Sequence, residues 1–283
     1  METQKYQPHI FAICSLFVLG NAVITMPFYK SKNIFLFVLT SLVFSLFIIC
    51  ITSLLLNLST KSKFIFYITA AAVSAAAIHG AVSTAIDYLG FIKSVQLPQT
   101  SIFLSGAAII LTVVAFLFVK SGAIYKYGLL VALISGVFIL IVFISGLKSF
   151  DFSILKTTLN KTDISVKELF YCFSSCAVLP AFVFLTNDKS LWLKYTLGGT
   201  ATGFSALTIC AAQSIFALGN AMDISYPYIK AVSIISSGSL FTRIDGFVYF
   251  VFFSSAIIKI TVCVWVLVLS FIRVSRELYC HRQ

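Results

Sequence analysis

Residues Tyr226–Lys259 read YPYIKAVSIISSGSLFTRIDGFVYFVFFSSAIIK. A Tyr226-Pro227 break leads into a small polar patch. Arg243-Ile244-Asp245 then opens an apolar run that carries Lys259 in its middle. At about 1.5 Å per helical residue, Lys259 lies roughly 24 Å from Arg243 and roughly 21 Å from Arg273. A run of this kind that crosses a bilayer puts the ammonium near the midplane, where a lysine costs about 2.5–3.5 kcal/mol. Such a charge is kept where it has a partner or a use.

The composition of the whole chain agrees with a membrane setting. Hydrophobic residues make up 60% of the 283 positions and charged residues 10%, against about 25% charged in soluble domains. Mean hydropathy is +1.04. The net charge of +11 does not point to nucleic acid, because the lysines sit singly or in pairs between apolar runs, as in loops at lipid headgroups. Seven cysteines fall almost wholly inside apolar runs and read as small core residues rather than disulfides. Cys172 and Cys176 share a helix face, but no His or further Cys accompanies them, so neither a metal site nor a cofactor is expected. The first apolar run, from Pro8 to Met26-Pro27, lacks a small-residue cleavage site and does not read as a signal peptide.

Eight apolar runs are long enough for the roughly 30 Å hydrocarbon core. They lie near residues 9–28, 33–57, 64–92, 101–119, 123–147, 166–186, 191–219 and 243–272, within a single transmembrane domain over 1–283. Residues 220–242 form a non-spanning segment, and 148–165 a long polar loop. Eight spans put both termini on one side, and Arg273, Arg276 and Arg282 favour the cytoplasm for it. The basic 148–165 loop would then face out and weakens that signal.

Two runs carry helix-breaking residues at related positions. The first contains Leu19-Gly20-Asn21-Ala22-Val23 at mid-depth and ends at Pro27; the sixth contains Phe173-Ser174-Ser175-Cys176, with Pro180 four residues on. Gly, Asn, Ser and Pro favour interrupted helices, and interrupted segments five helices apart point to a transporter-type substrate site. The competing reading is that the small residues only let helices pack closely.

Other ionisable groups within the runs are few. His79, Ser83 and Asp87 follow at i, i+4 and i+8 on one helix face, either as a proton-handling stripe or with His79 bonded to a nearby carbonyl and Asp87 at the membrane surface. Lys259 is the stronger candidate, since a point charge at mid-depth can stand in for a bound cation or carry a coupling proton. Arg243 and Asp245 are two residues apart and read as caps of the last run. No phosphate-binding loop, dinucleotide fingerprint, zinc-protease or nucleophile-elbow motif is present, so no catalytic residue is assigned and an enzyme is not expected.

At the Tyr226–Lys259 stretch the chain resembles the spore germination permeases, the B subunits of nutrient-germinant receptors in the amino acid–polyamine–organocation superfamily. Tyr226-Pro227, Arg243, Asp245 and Lys259 meet the family's pattern without a gap. Leu19-Gly20 through Met26-Pro27, Leu97-Pro98-Gln99-Thr100, Gly122 and Leu218-Gly219 extend the resemblance over nearly the whole chain. It implies a LeuT-like fold of inverted five-helix repeats with broken first and sixth helices. It also implies A-type and C-type receptor subunits as partners in the spore inner membrane, and a small nutrient such as an amino acid as ligand. Carried over by position, Gly20, Asn21, Ala22, Ser174 and Ser175 would line the ligand, and Lys259 would be the intramembrane charge.

This chain departs from the family pattern in three ways. Ser175 stands where relatives commonly have glutamate, and Phe252 where they usually have tryptophan. The chain also ends soon after the eighth run, where relatives continue for two more helices. A five-plus-three bundle is expected to sense a nutrient rather than pump it. The alternatives are a proton- or sodium-coupled amino-acid permease and a structural subunit that binds nothing.

Overall fold

The computed structural model describes residues 7–25, 34–96, 99, 101–118, 121–147, 150, 166–186, 192–219, 226–237 and 245–279. Among them the structure is helical, with no strand. The helices are α1 Gln7–Thr25, α2 Ile34–Ser59, α3 Lys63–Phe91, α4 Ile102–Phe118 and α5 Ser121–Gly146. They continue with α6 Val166–Phe173, α7 Val178–Thr186, α8 Trp192–Leu218, α9 Pro227–Ser237 and α10 Asp245–Tyr279. A π-helical turn, Ile92–Gln96, extends α3, and a 3₁₀ turn, Ser174–Ala177, joins α6 to α7.

Within the described residues each apolar run thus folds as helix, as lipid requires of backbone it surrounds. Among the described residues, five helices are long and apolar enough to cross a bilayer: Phe35–Ser59, Lys63–Val95, Ala123–Gly146, Leu193–Leu218 and Gly246–Arg276. Shorter apolar helices, His9–Gly20, Ile102–Phe118 and Leu169–Leu185, occupy the other three runs. The segment between the seventh and eighth runs carries α9, whose length suits a helix folded over the bundle rather than through a membrane.

The side-chain pattern is that of a protein in lipid. On α2, Leu39, Val43, Phe47, Ile51, Leu54 and Leu58 form one exposed stripe, while Phe37, Ser41, Ser45, Ile49, Thr52, Ser53 and Leu56 are buried. Large apolar groups face outward and the hydroxyls face inward, because lipid favours the first and offers the second no partner at all.

At the centre, α1 packs against α8, α10, α5 and α3. Glycines set the α1–α8 distance. A Cβ on Gly199 would stand 2.5 Å from the Phe11 carbonyl oxygen, and one on Gly203 2.7 Å from that of Ser15. This Gly-x-x-x-Gly pair therefore lets two backbones touch. Helices α3 and α10 run antiparallel, with Phe91 near Tyr249, Tyr88 near Phe253 and Gly80 near Cys263.

The expected break in the first run is not seen. The helix α1 continues through Gly20-Asn21-Ala22 to Thr25, and no positive φ occurs there. Glycine in this helix serves close packing instead of a bend. The sixth run is interrupted at Ser174–Ala177. Pro180 has no N–H to offer the Cys176 carbonyl four residues back and its ring crowds that oxygen, so the chain tightens locally to 3₁₀ bonding, with the Val178 N–H reaching the Ser175 carbonyl.

The signature segment also folds by local rules. Gly219 (φ 59°) closes α8 in the left-handed conformation, and Pro227 opens α9, where its missing N–H costs nothing. Tyr226 precedes it at φ 58°, rare for a residue with a side chain. Its ring packs edge-on against Phe91, with centroids 5.1 Å apart. Buried Phe252 takes an edge contact from Tyr228, at 5.6 Å. Pro27 and Arg243 lie outside the described residues, as do the side chains of Asn21, Ala22 and Asp245, although Asp245 opens α10.

Candidate functional site

Lys259 lies on α10 and is 2% exposed. Its stem runs against the α1 backbone at Gly20: a Cβ there would stand 2.8 Å from Lys259 Cδ and 3.2 Å from its Cβ. The ammonium sits over the Phe17 ring, 5.1 Å from the centroid. A desolvated cation–π contact contributes about 2 kcal/mol, a sizeable part of the insertion cost of a mid-membrane lysine. One turn of α1 thus supplies both the notch for the stem and the ring for the charge.

A second notch lies beside the first. A Cβ on Gly80 of α3 would stand 2.7 Å from Ser175 Cβ and 3.1 Å from Cys263 Sγ. Gly80 therefore admits the 3₁₀ turn between α3, α2 and α10. Cys263 is one helical turn beyond Lys259, and both it and Cys176 are within electrostatic range of the ammonium. Ser174, in the same turn, is half-buried.

The buried hydroxyls fall into two groups. Buried Ser135, Ser214 and Ser255 each donate to the carbonyl four residues back in their own helix. Ser175 and Ser41 are equally buried, yet their hydroxyls make no hydrogen bond among the described residues, as is also true of Ser53, Thr69 and Thr261 elsewhere. Ser45 lies beside the Cys176 sulfur, a weak partner at best. Ser41 is one turn away on the same face of α2. Each unsatisfied hydroxyl costs about 1–3 kcal/mol. At Ser175, next to the cysteine that neighbours the buried ammonium, such a group fits a site that takes up water or a polar ligand.

Four of the expected residues meet in this region. Gly20 touches Lys259, and Ser174 and Ser175 occupy the adjoining turn. His79 makes the bond to a nearby carbonyl that was one of its two readings, and Asp87 engages the same residue. His79 Nε2 donates to the Tyr171 carbonyl oxygen at 3.1 Å, and its ring meets the Tyr171 ring edge-on at 5.6 Å. The Tyr171 hydroxyl donates to Asp87 at 3.1 Å. The two residues of α3 thus grip one tyrosine of α6, which holds the interrupted helix in place. Ser83 between them donates to Gly80 at 3.4 Å, within its own helix.

Phe17, Gly80, Tyr171, Ser41 and Ser45 went unnoticed in the sequence. Ser41 and Ser45 left a signal: two hydroxyls at i and i+4 in an otherwise apolar run. Tyr171 left none, since its partners lie far away in the chain. Comparison with family models, curated proteins and solved structures finds no match for this chain.

Proposed function

We propose that this protein is a membrane subunit of a spore nutrient-germinant receptor that binds a small nutrient, an amino acid first among them, and signals with A-type and C-type subunits. The family assignment rests on the Tyr226-Pro227, Arg243, Asp245 and Lys259 pattern. The observation that carries the binding role is the buried Lys259, seated on Gly20 and Phe17 beside an interrupted helix whose Ser175 hydroxyl has no hydrogen bond among the described residues. An ammonium and nearby hydroxyls suit a carboxylate, which accepts charge-assisted hydrogen bonds. The eight-span LeuT-like bundle is part of this proposal, supported by the central place of α1 and the interruption in the sixth run. In this reading the ligand contacts an unbroken α1 and a broken sixth helix.

The test uses spores carrying the full receptor. Lys259→Met keeps the side-chain length without the charge, and the variant should reach the membrane at wild-type abundance yet lose its nutrient response. Normal dose dependence in that variant would reduce Lys259 to a packing residue. A second reading, a coupled amino-acid permease, is favoured by the same mid-membrane charge. Uptake of labelled amino acids into proteoliposomes separates the two: transport by folded protein supports the permease, and binding without uptake supports the receptor.

A further inference from the structure

We propose that the cleft between α3 and α10 at the Arg273 end binds one anionic phospholipid, its phosphate held near Arg273 and an acyl chain lying along α3. Two adjoining cavities motivate this, and they share Ala70 and Ser270. The inner one, about 30 Å³, lies among the ends of α2, α3, α7 and α10 and is lined in part by Ser59, Thr69, Ser270 and Arg273. It has room for a water or a phosphate oxygen, which need roughly 10–15 Å³. The outer groove, about 620 Å³, runs between α3 and α10 past Tyr67, Ala71, Ser74, Val268 and Phe271. That volume falls within the roughly 300–1,000 Å³ of ligand clefts.

The inner cavity has the chemistry of a headgroup site. Thr69 is 2% exposed, and its hydroxyl makes no hydrogen bond among the described residues. Buried Thr52, Thr84 and Thr200 instead bond the carbonyl four residues back. Arg273 lies roughly 21 Å from Lys259 along α10, at headgroup depth if Lys259 is near the midplane. Its guanidinium carbon lies over the Phe184 ring, 5.3 Å from the centroid, and among the described residues no hydrogen bond or ion pair occupies its N–H groups, which suit a phosphate. Lys63, at the N-terminus of α3, and exposed Arg276 add positive charge at this end.

The groove has the chemistry of an acyl-chain site. Ala70, Ala71 and Ser74 are small where much of the outward face of α3 is large, as at Ile68, Ile78, Val82 and Ile86. The missing volume leaves a trough whose far wall is α10, with exposed Val268 and Phe271. A cationic, hydroxyl-bearing pocket continuous with an apolar trough matches a molecule with phosphate at one end and hydrocarbon at the other. Free phosphate has no use for the trough, and a neutral hydrocarbon has none for Arg273.

The test uses the full chain, purified in detergent and stripped of lipid. Phosphatidylglycerol, phosphatidylcholine and inorganic phosphate are added in turn, with bound lipid counted by native mass spectrometry and melting followed by heating. Phosphatidylglycerol should stay bound at one copy per chain and raise the melting temperature, phosphatidylcholine should do so less, and phosphate not at all. Arg273→Gln should weaken retention of phosphatidylglycerol by at least about tenfold, the scale of a lost charged hydrogen bond. Ala71→Phe fills the trough from an exposed position, and should abolish retention without changing the melting of lipid-free protein. Wild-type protein that keeps no lipid would overturn the proposal. So would protection by phosphate alone, retention that both substitutions leave unchanged, or a second polypeptide found in the cleft.

Discussion

Gly20→Ala tests the packing at Lys259 most directly. The added methyl would stand 2.8 Å from Lys259 Cδ and 3.2 Å from its Cβ, where carbon atoms prefer about 3.5–4.0 Å. The stem must therefore move by roughly 0.7–1.2 Å. Such a shift can carry the ammonium from 5.1 Å to about 6 Å from the Phe17 centroid, the limit of a useful cation–π contact. Overpacking costs about 1–3 kcal/mol and the lost ring contact up to about 2, while replacing a helical glycine returns about 1. The terms sum to a destabilisation of about 0–4 kcal/mol, centred near 2, which at the centre lowers the melting temperature by roughly 4–8 °C. Gly136→Ala is the control, because nothing lies within 4 Å of its added methyl. The assay is thermal unfolding in detergent, repeated in a Lys259→Ala background, where the Gly20→Ala cost should shrink by about 1 kcal/mol or more. If Gly20→Ala proves as benign as Gly136→Ala in both backgrounds, the lysine does not lie on α1 as described.

Three further outcomes are expected. Gly199→Ala drives a methyl to 2.5 Å from the Phe11 carbonyl oxygen; backbone yields less than a side chain, so melting should fall by at least as much as for Gly20→Ala, and equality with Gly136→Ala would remove the close α1–α8 contact. Ser175→Ala deletes a buried hydroxyl that makes no hydrogen bond among the described residues, so ligand-free protein should be unchanged or gain about 1 kcal/mol while its nutrient response weakens; a clear loss of stability would show that the hydroxyl already has a partner. Tyr171→Phe removes the 3.1 Å bond to Asp87 and should cost about 1 kcal/mol with the nutrient response retained. A loss of response matching Lys259→Met would instead place Tyr171 and the lysine in one network.

Much of the helical layout was legible because lipid allows few alternatives. An apolar run long enough for the bilayer must be helical, so α2, α3, α5 and α8 begin and end within two residues of their runs. The interruption near Ser175 was legible through Pro180, whose effect on the preceding turn is local. Gly20 was ambiguous for the opposite reason. Glycine permits a bend and a close approach equally, and only the distant Lys259 decides which applies. The His79–Ser83–Asp87 stripe was a true helix face, but its meaning depended on Tyr171 more than eighty positions away. The last helix continues past the apolar run to Tyr279, because Arg273 and Arg276 interrupt the hydropathy without breaking the helix.

That continuation gives α10 a mechanical character. Thirty-five residues make a rod of about 52 Å, well beyond the roughly 30 Å of hydrocarbon. Lys259 sits partway along it, about 30 Å from the tip at Tyr279. A tilt of about 5° at the lysine would swing that tip by about 2.6 Å, on the rise of 1.5 Å per residue. A small rearrangement where α10 leans on Gly20 is thereby enlarged at the Tyr279 end. The helix that carries the buried charge is also a lever arm, with its load beyond the lipid.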